Sequence, residues 1–179
     1  MLPGLALAAL AAGCLTPEDD VVQFVDDFEA GLATWALEGD VSIVTTYHPG
    51  EHAARLGPGA RMSHALDVRR TIGEDGGWRD GFSDGNWLEY TTDCGGRPTL
   101  ALEPATSPPG PQVRIRLGLD APPAPDLLRR KHMLPALPAF VGDGDASGEV
   151  RFTALVIEAG ARCHLDKLQL MVSGGSIGY

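Results

Sequence analysis

The stretch from Gln112 to Leu119 reads Gln-Val-Arg-Ile-Arg-Leu-Gly-Leu and decides the fold. Its apolar side chains fall on every second residue, and the two arginines fall between them. Because successive side chains of a β-strand point to opposite faces, this pattern predicts a strand with one buried face and one solvated face. The sequence therefore predicts a sheet that packs its apolar face against a second layer.

The same period of two recurs along the chain after residue 20. Predicted strands cover Val22–Glu29, Trp35–Leu37, Val41–Thr46, Ala53–Leu56, Met62–Val68, Trp87–Thr92, Thr99–Glu103, Gln112–Leu119, Glu149–Glu158 and Cys163–Val172. Gly- and Pro-rich turns separate them, and Ala121–Pro125 is one such turn. Asp126–Met133 is predicted as a single helical turn between Pro125 and Pro135. Many short strands without alternating helices predict one all-β domain, an antiparallel sandwich or barrel over residues 21–173, followed by a tail over 174–179.

The N-terminal segment is apolar up to a cysteine. Residues 1–13 are too few to span a bilayer, which needs about 20, and they fit the hydrophobic part of a signal peptide. Small residues followed by Cys14 resemble the lipobox of a bacterial lipoprotein. That resemblance implies a signal peptide over 1–13, a lipidated, palmitate-bearing tether over 14–20, and a protein anchored to a membrane of the bacterial cell envelope, outside the cytoplasm. An ordinary secretion signal with a coincidental cysteine is the alternative.

The charge of the chain excludes one class of partner. The formal net charge is −10, and the sequence shows no basic stripe. Phosphate binding needs clustered Lys and Arg, so nucleic acid is not the predicted ligand. Acidic loops suit a divalent cation, or solubility outside the cell.

The cysteines predict a disulfide. If Cys14 carries lipid, Cys94 and Cys163 remain, and an oxidising compartment pairs them. Two separate buried thiols are the alternative.

Three short motifs resemble those of enzymes or metal sites, but the sequence around each motif argues against that interpretation. Gly81–Gly85 matches G-x-S-x-G but precedes a strand rather than a helix. His48–His52 matches the zinc motif H-x-x-E-H, but Pro49-Gly50 opposes the helix that this motif needs. Asp143–Gly148 begins like a calcium-binding loop and lacks the acidic residue at the twelfth position. A hydrolase is therefore a minor alternative, and no catalytic residue is predicted.

Three further segments, taken in order, resemble the galactose-binding-like jelly rolls of bacterial carbohydrate-binding modules. Residues 27–35 read Asp-Phe-Glu-Ala-Gly-Leu-Ala-Thr-Trp, residues 50–56 read Gly-Glu-His-Ala-Ala-Arg-Leu, and residues 165–170 read Leu-Asp-Lys-Leu-Gln-Leu. The resemblance implies a jelly-roll β-sandwich with one structural calcium ion, held by Glu29, Asp166 and carbonyls of the turn at 48–51. Asp166 shares parity with Leu168, so it is expected to face the core, where a carboxylate needs a cation or hydrogen-bond donors. Bonds to backbone amides or an arginine are the alternative to calcium.

The resemblance also implies a function. Aromatic faces stack on sugar rings, and Trp78, Trp87 and Tyr90 are the predicted ligand contacts. Trp78 lies in a long polar loop, where it is either such a contact or an anchor that packs back on the sheet. We expect a non-catalytic cell-envelope lipoprotein that binds a glycan. A structural or protein-interaction lipoprotein of the same fold, with another envelope protein as partner, is the alternative.

Overall fold

The computed structural model describes residues 21–45, 51–71, 87–107, 109–135 and 149–172, and their regular elements are strands. The strands are β1 (Val21–Asp26), β2 (Ala36–Glu38), β3 (Val41–Thr45), β4 (His52–Leu56), β5 (Arg61–Thr71), β6 (Trp87–Cys94), β7 (Thr99–Pro104), β8 (Gln112–Leu119), β9 (Pro123–Met133), β10 (Glu149–Ala159) and β11 (Cys163–Val172). The described residues include no helix long and apolar enough to cross a membrane. The predicted signal peptide, lipidated tether and C-terminal tail lie outside the described residues.

Two sheets form a sandwich. The first sheet has the order β3-β4-β11-β6-β9, with β1 paired to β11, and the second has the order β2-β5-β10-β8-β7. Connections of two to four residues join β2 to β3, β4 to β5, β6 to β7, β8 to β9 and β10 to β11, and each crosses between the sheets. This alternation confirms the predicted all-β jelly-roll sandwich and places β9 and β7 at the same end of it.

One strand pair departs from the antiparallel prediction. β10 pairs with β5 antiparallel but with β8 in parallel, with Leu155 opposite Ile115. Parallel strands need a long crossover connection, and the chain between β8 and β10 contains the whole of β9. Sequence periodicity reports which face is buried and does not report strand direction.

The alternation in β8 is confirmed. Val113, Ile115, Leu117 and Leu119 are fully buried between the sheets. On the opposite face, Arg116 Nε donates to Glu158 Oε2 at 2.8 Å. The outer face of the second sheet is thus solvated, and its charged side chains pair with one another.

β9 corrects the prediction of a turn followed by a helical turn. Residues Pro123–Met133 form one strand, which lies at the end of the first sheet and pairs with β6. Proline has no N–H for a sheet ladder, so Pro123 and Pro125 are compatible with a strand that has a neighbour on one side. A strand at the end of a sandwich also faces little core, which explains why its sequence lacks apolar alternation.

β11 changes face at a bulge. Leu165 and Leu168 both lie in the core, although they are three residues apart. Lys167 has φ of 49°, and the register with β6 shifts just after Asp166. The expectation that Asp166 faces the core by parity with Leu168 is therefore wrong. Asp166 lies opposite Thr91, a half-buried residue of β6, and is nevertheless buried.

A disulfide joins the end of β6 to the start of β11. Cys94 and Cys163 are bonded, with 5.2 Å between their Cα atoms. Their strands are neighbours in the first sheet, with Leu165 opposite Thr92. The predicted disulfide is confirmed, and the alternative of two separate thiols is excluded.

Candidate functional site

Trp87 opens β6 on the outer face of the first sheet. Its neighbours Leu88 and Tyr90 belong to the core, so the alternation of β6 turns Trp87 and Glu89 the other way. The Lys131 ammonium lies over the indole, with Nζ 3.8 Å from the ring centroid. Trp87 is 5% exposed. The Lys131 side chain therefore covers one face of the indole, and Trp87 as a whole is buried.

Polar side chains flank the indole. Gln169 of β11 and Lys131 of β9 lie on either side of Glu89 in the ladder, so the three form one row across the sheet. Glu89 is also ion-paired with Arg129, whose own side chain is 77% exposed. A carboxylate accepts hydrogen bonds, a guanidinium and an ammonium donate them, and an amide does both. The row can bind a ligand that carries many hydroxyl groups.

The indole N–H is an unused donor. Trp87 Nε1 is buried and has no hydrogen-bond partner among the described residues. Buried polar groups in proteins are nearly always hydrogen-bonded, so an exception calls for an explanation. A bound ligand with an acceptor oxygen would supply the missing partner.

The other predicted aromatic contacts differ in position. Tyr90 is 0% exposed, and its ring stacks on the His132 imidazole with centroids 5.7 Å apart. Its ring therefore offers no open stacking face. Trp78 lies outside the described residues and stays a predicted ligand contact. The motifs at Gly81–Gly85 and Asp143–Gly148, which the sequence argues against as functional sites, also lie outside the described residues.

Asp93 and His164 form a closed pair beside the disulfide. Asp93 Oδ1 accepts the His164 backbone N–H at 2.6 Å, and Oδ2 lies 2.6 Å from His164 Nδ1. Asp93 also lies close enough to Cys94 and Cys163 to suggest a metal cluster. Both sulfurs are consumed by the disulfide, however, so neither is a thiolate ligand. The pair holds the neighbouring strands together at this end of the sheet.

The predicted calcium residues lie near one another. Glu29 Oε1 accepts the His52 backbone N–H at 2.6 Å, and the His52 side chain lies 2.7 Å from Oε2. The hydrogen bond to the His52 side chain, and to a smaller extent the bond to its backbone N–H, lowers the pKa of Glu29. Asp166 Oδ1 accepts the Lys167 N–H at 2.7 Å. Burial, with a smaller contribution from the charges of Glu51 and Glu29, raises the pKa of Asp166.

The donor set suits a divalent cation. The carboxylates of Glu29, Glu51 and Asp166 lie close enough to repel one another, and calcium binds carboxylate oxygens. The Lys167 ammonium, 3.6 Å from Glu51 Oε2, supplies part of the compensating charge. Residues 48–50, whose carbonyls would complete the site, lie outside the described residues. Calcium at Glu29 and Asp166 therefore stays a prediction.

This chain is similar to several solved structures. The CBM22-1 xylan-binding domain of Paenibacillus barcinonensis Xyn10C is similar at 10% identity, covering 90% of this chain and 100% of its own, with a TM-score of 0.46. The C-terminal family 22 module of Clostridium thermocellum Xyn10B matches at 13% identity, covering 88% of this chain and 96% of its own, with a TM-score of 0.42. TmCBM61, solved with β-1,4-galactotriose, matches at 14% identity, covering 82% and 94%, with a TM-score of 0.38. No family model and no curated protein matches this chain.

Sequence reasoning found Trp87 but missed the side chains around it. Arg129 and Lys131 belong to the segment predicted as a helical turn, and Glu89 was not singled out. The available signal was the basic run Arg-Arg-Lys at 129–131 in an acidic chain. Its meaning depends on β9 being a strand that lies beside β6.

Proposed function

We propose that this chain is a non-catalytic, lipid-anchored domain of the cell envelope that binds a glycan on the outer face of its first sheet. The observation that carries the proposal is the Trp87 indole, whose face binds the Lys131 ammonium 3.8 Å from the ring centroid. A sugar ring has apolar C–H faces and a rim of hydroxyls. The indole suits the first, and the Glu89, Lys131 and Gln169 row suits the second.

The Lys131 ammonium holds the place that a sugar ring would take. A cation over an indole contributes about 0.5–2 kcal/mol, and the lysine stem is flexible. Displacing the ammonium is therefore within the range that a stacked sugar offsets. The released lysine can then donate to a ligand hydroxyl or carboxylate.

The distribution of exposed apolar side chains favours a glycan over a protein partner. The large exposed ones among the described residues are Val25, Leu37, Leu128 and Met133. They lie on three different strands, and Leu128 and Met133 occupy opposite faces of β9 because they are five residues apart. Protein-binding surfaces typically gather apolar side chains into one patch, and these are scattered.

A glycan-array screen of the purified protein, followed by calorimetry on the best ligand, tests the proposal. Trp87→Phe keeps an apolar ring and removes the indole N–H and part of the stacking face, and Glu89→Gln removes one charge. Each is expected to weaken binding about tenfold, the usual cost of one lost ligand hydrogen bond or stacking contact. The matched control is Arg116→Gln, which breaks an ion pair on the outer face of the second sheet and should leave affinity unchanged.

Two results would contradict the proposal. One is a screen in which the folded wild-type protein binds no glycan. The other is unchanged affinity in both Trp87→Phe and Glu89→Gln, which would move the site to another surface. In the second case Trp78→Ala is the next variant to measure, since Trp78 is a further predicted contact.

A further inference from the structure

The side of β9 that faces the interior carries a second group of polar residues. In the ladder between β6 and β9, Tyr90 lies opposite Arg130 and Leu88 lies opposite His132. Side chains of directly opposed residues share one face of the sheet and lie about 5 Å apart at Cβ. Tyr90, Arg130 and His132 therefore meet on the inner side of the sheet, behind the Trp87 face.

Each member of this group has an unused polar atom. Tyr90 Oη, Arg130 Nε and His132 Nε2 are buried and lack a hydrogen-bond partner among the described residues. Tyr90 is fully buried, and burial raises the pKa of its phenol, so Oη keeps its proton and remains a donor. Stacking of the Tyr90 ring on His132 fixes the positions of the two rings. A buried polar atom without a hydrogen bond costs free energy, so three of them close together indicate that a bound group supplies their partners.

The charges that act on His132 in this group are positive. Burial first, and then the charges of Arg130 and Arg97, lowers the pKa of His132. In the described part of the chain, Arg130 makes no ion pair, whereas Arg116 and Arg129 each pair with a glutamate. A protein with a net charge of −10 has many carboxylates, yet none of those described forms a salt bridge with Arg130.

We infer that Tyr90, Arg130 and His132 form an anion seat that receives a carboxylate of the ligand. Arg130 Nε and Tyr90 Oη supply two donors, and Arg97 adds long-range attraction. Charge-assisted hydrogen bonds of this kind are among the stronger ones in proteins. β9 carries the seat on one face and Lys131 on the other, so a ligand that follows this edge meets cations on both sides.

The inference rests on the proposed function for its ligand class. If the glycan bound on the outer face extends around the terminal strand β9, the seat selects one that bears carboxyl groups, that is, a polymer containing uronic acids. A neutral polymer would leave the three atoms unpaired. The seat itself needs only the carboxylate and is testable with a single sugar acid.

The experiment compares matched acidic and neutral ligands. Affinities are measured for glucuronate and galacturonate against glucose and galactose, and for uronic-acid polysaccharides against the same polymers after carboxyl reduction. We expect the acidic forms to bind at least about tenfold more tightly. Tyr90→Phe and Arg130→Gln should each remove most of that preference. The control Arg116→Gln should keep it, because Arg116 lies on the other sheet.

Melting temperature separates binding from folding. Tyr90→Phe deletes one oxygen, so it should bind neutral ligands normally and melt at or above the wild-type temperature. Equal affinity for acidic and neutral polymers would overturn the seat while leaving glycan binding intact. A preference for acids that survives both variants would also overturn it, as would a failure of all uronates to bind. Binding of monomeric uronates without any polymer would support the seat and refute the glycan proposal.

Discussion

Removing the disulfide should destabilise the sandwich without altering the site on β6. The perturbation is the double variant Cys94→Ala with Cys163→Ala, which avoids leaving one free thiol. Both residues are buried in the core, and alanine keeps their surroundings apolar. The bond joins residues separated by 69 positions, so it restricts a long loop in the unfolded chain.

The size of the effect follows from that separation. The chain-entropy model gives about 4 kcal/mol for a closed loop of this length. In a domain of this size, 1 kcal/mol corresponds to roughly 2–4 °C in melting temperature. The double variant should therefore melt about 8–16 °C below the wild type.

Thermal denaturation followed by circular dichroism measures the difference. Reductant should lower the melting temperature of the wild type towards that of the variant and leave the variant unchanged. Trp87 and Cys94 stand at opposite ends of β6, about 23 Å apart along an extended strand, so ligand affinity at 20–25 °C should persist. A variant that melts within about 2 °C of the wild type would refute the argument from loop closure.

Three other predictions concern calcium, pH and the anchor. Calcium at a hundredfold excess over Kd should raise the melting temperature by about 5–10 °C relative to chelator, and Asp166→Asn should abolish the rise. Identical melting curves of the wild type in both buffers would argue against the calcium site. Folding lowers the pKa of His132, so the unfolded chain binds the proton first, and the free energy of unfolding should fall as the pH drops below about 6.5. His132→Gln should reduce this dependence of stability on pH, and an unchanged dependence would show that His132 does not contribute. Metabolic labelling with a palmitate analogue should mark the wild type and not Cys14→Ser, and an unlabelled wild type would contradict the lipobox assignment.

Most of the strands could be predicted from the local sequence alone. In β8, the alternation of apolar side chains with Arg114 and Arg116 depends on nothing beyond the two-residue period of an extended chain, and the burial of this strand follows it. The disulfide was also predictable, because two cysteines remain if Cys14 carries the predicted lipid. The limits of β1 were less predictable. It ends at Asp26, where the Asp26 carboxylate accepts the Phe28 N–H at 2.7 Å and the Trp35 indole N–H at 2.6 Å, so Glu29 lies in a turn.

What the tertiary structure alone decided is which side chains meet across strands. β9 is a strand because the first sheet offers an edge beside β6, and that long-range pairing overrides the prolines and the absent alternation. The bulge at Lys167 reverses the face of Asp166, since one inserted residue exchanges the two sides of a strand. The contact of Lys131 with Trp87 and the meeting of Tyr90 with Arg130 both depend on the register between β6 and β9. Register is a property of two segments brought together by folding, whereas the sequence of either segment determines only its own alternation.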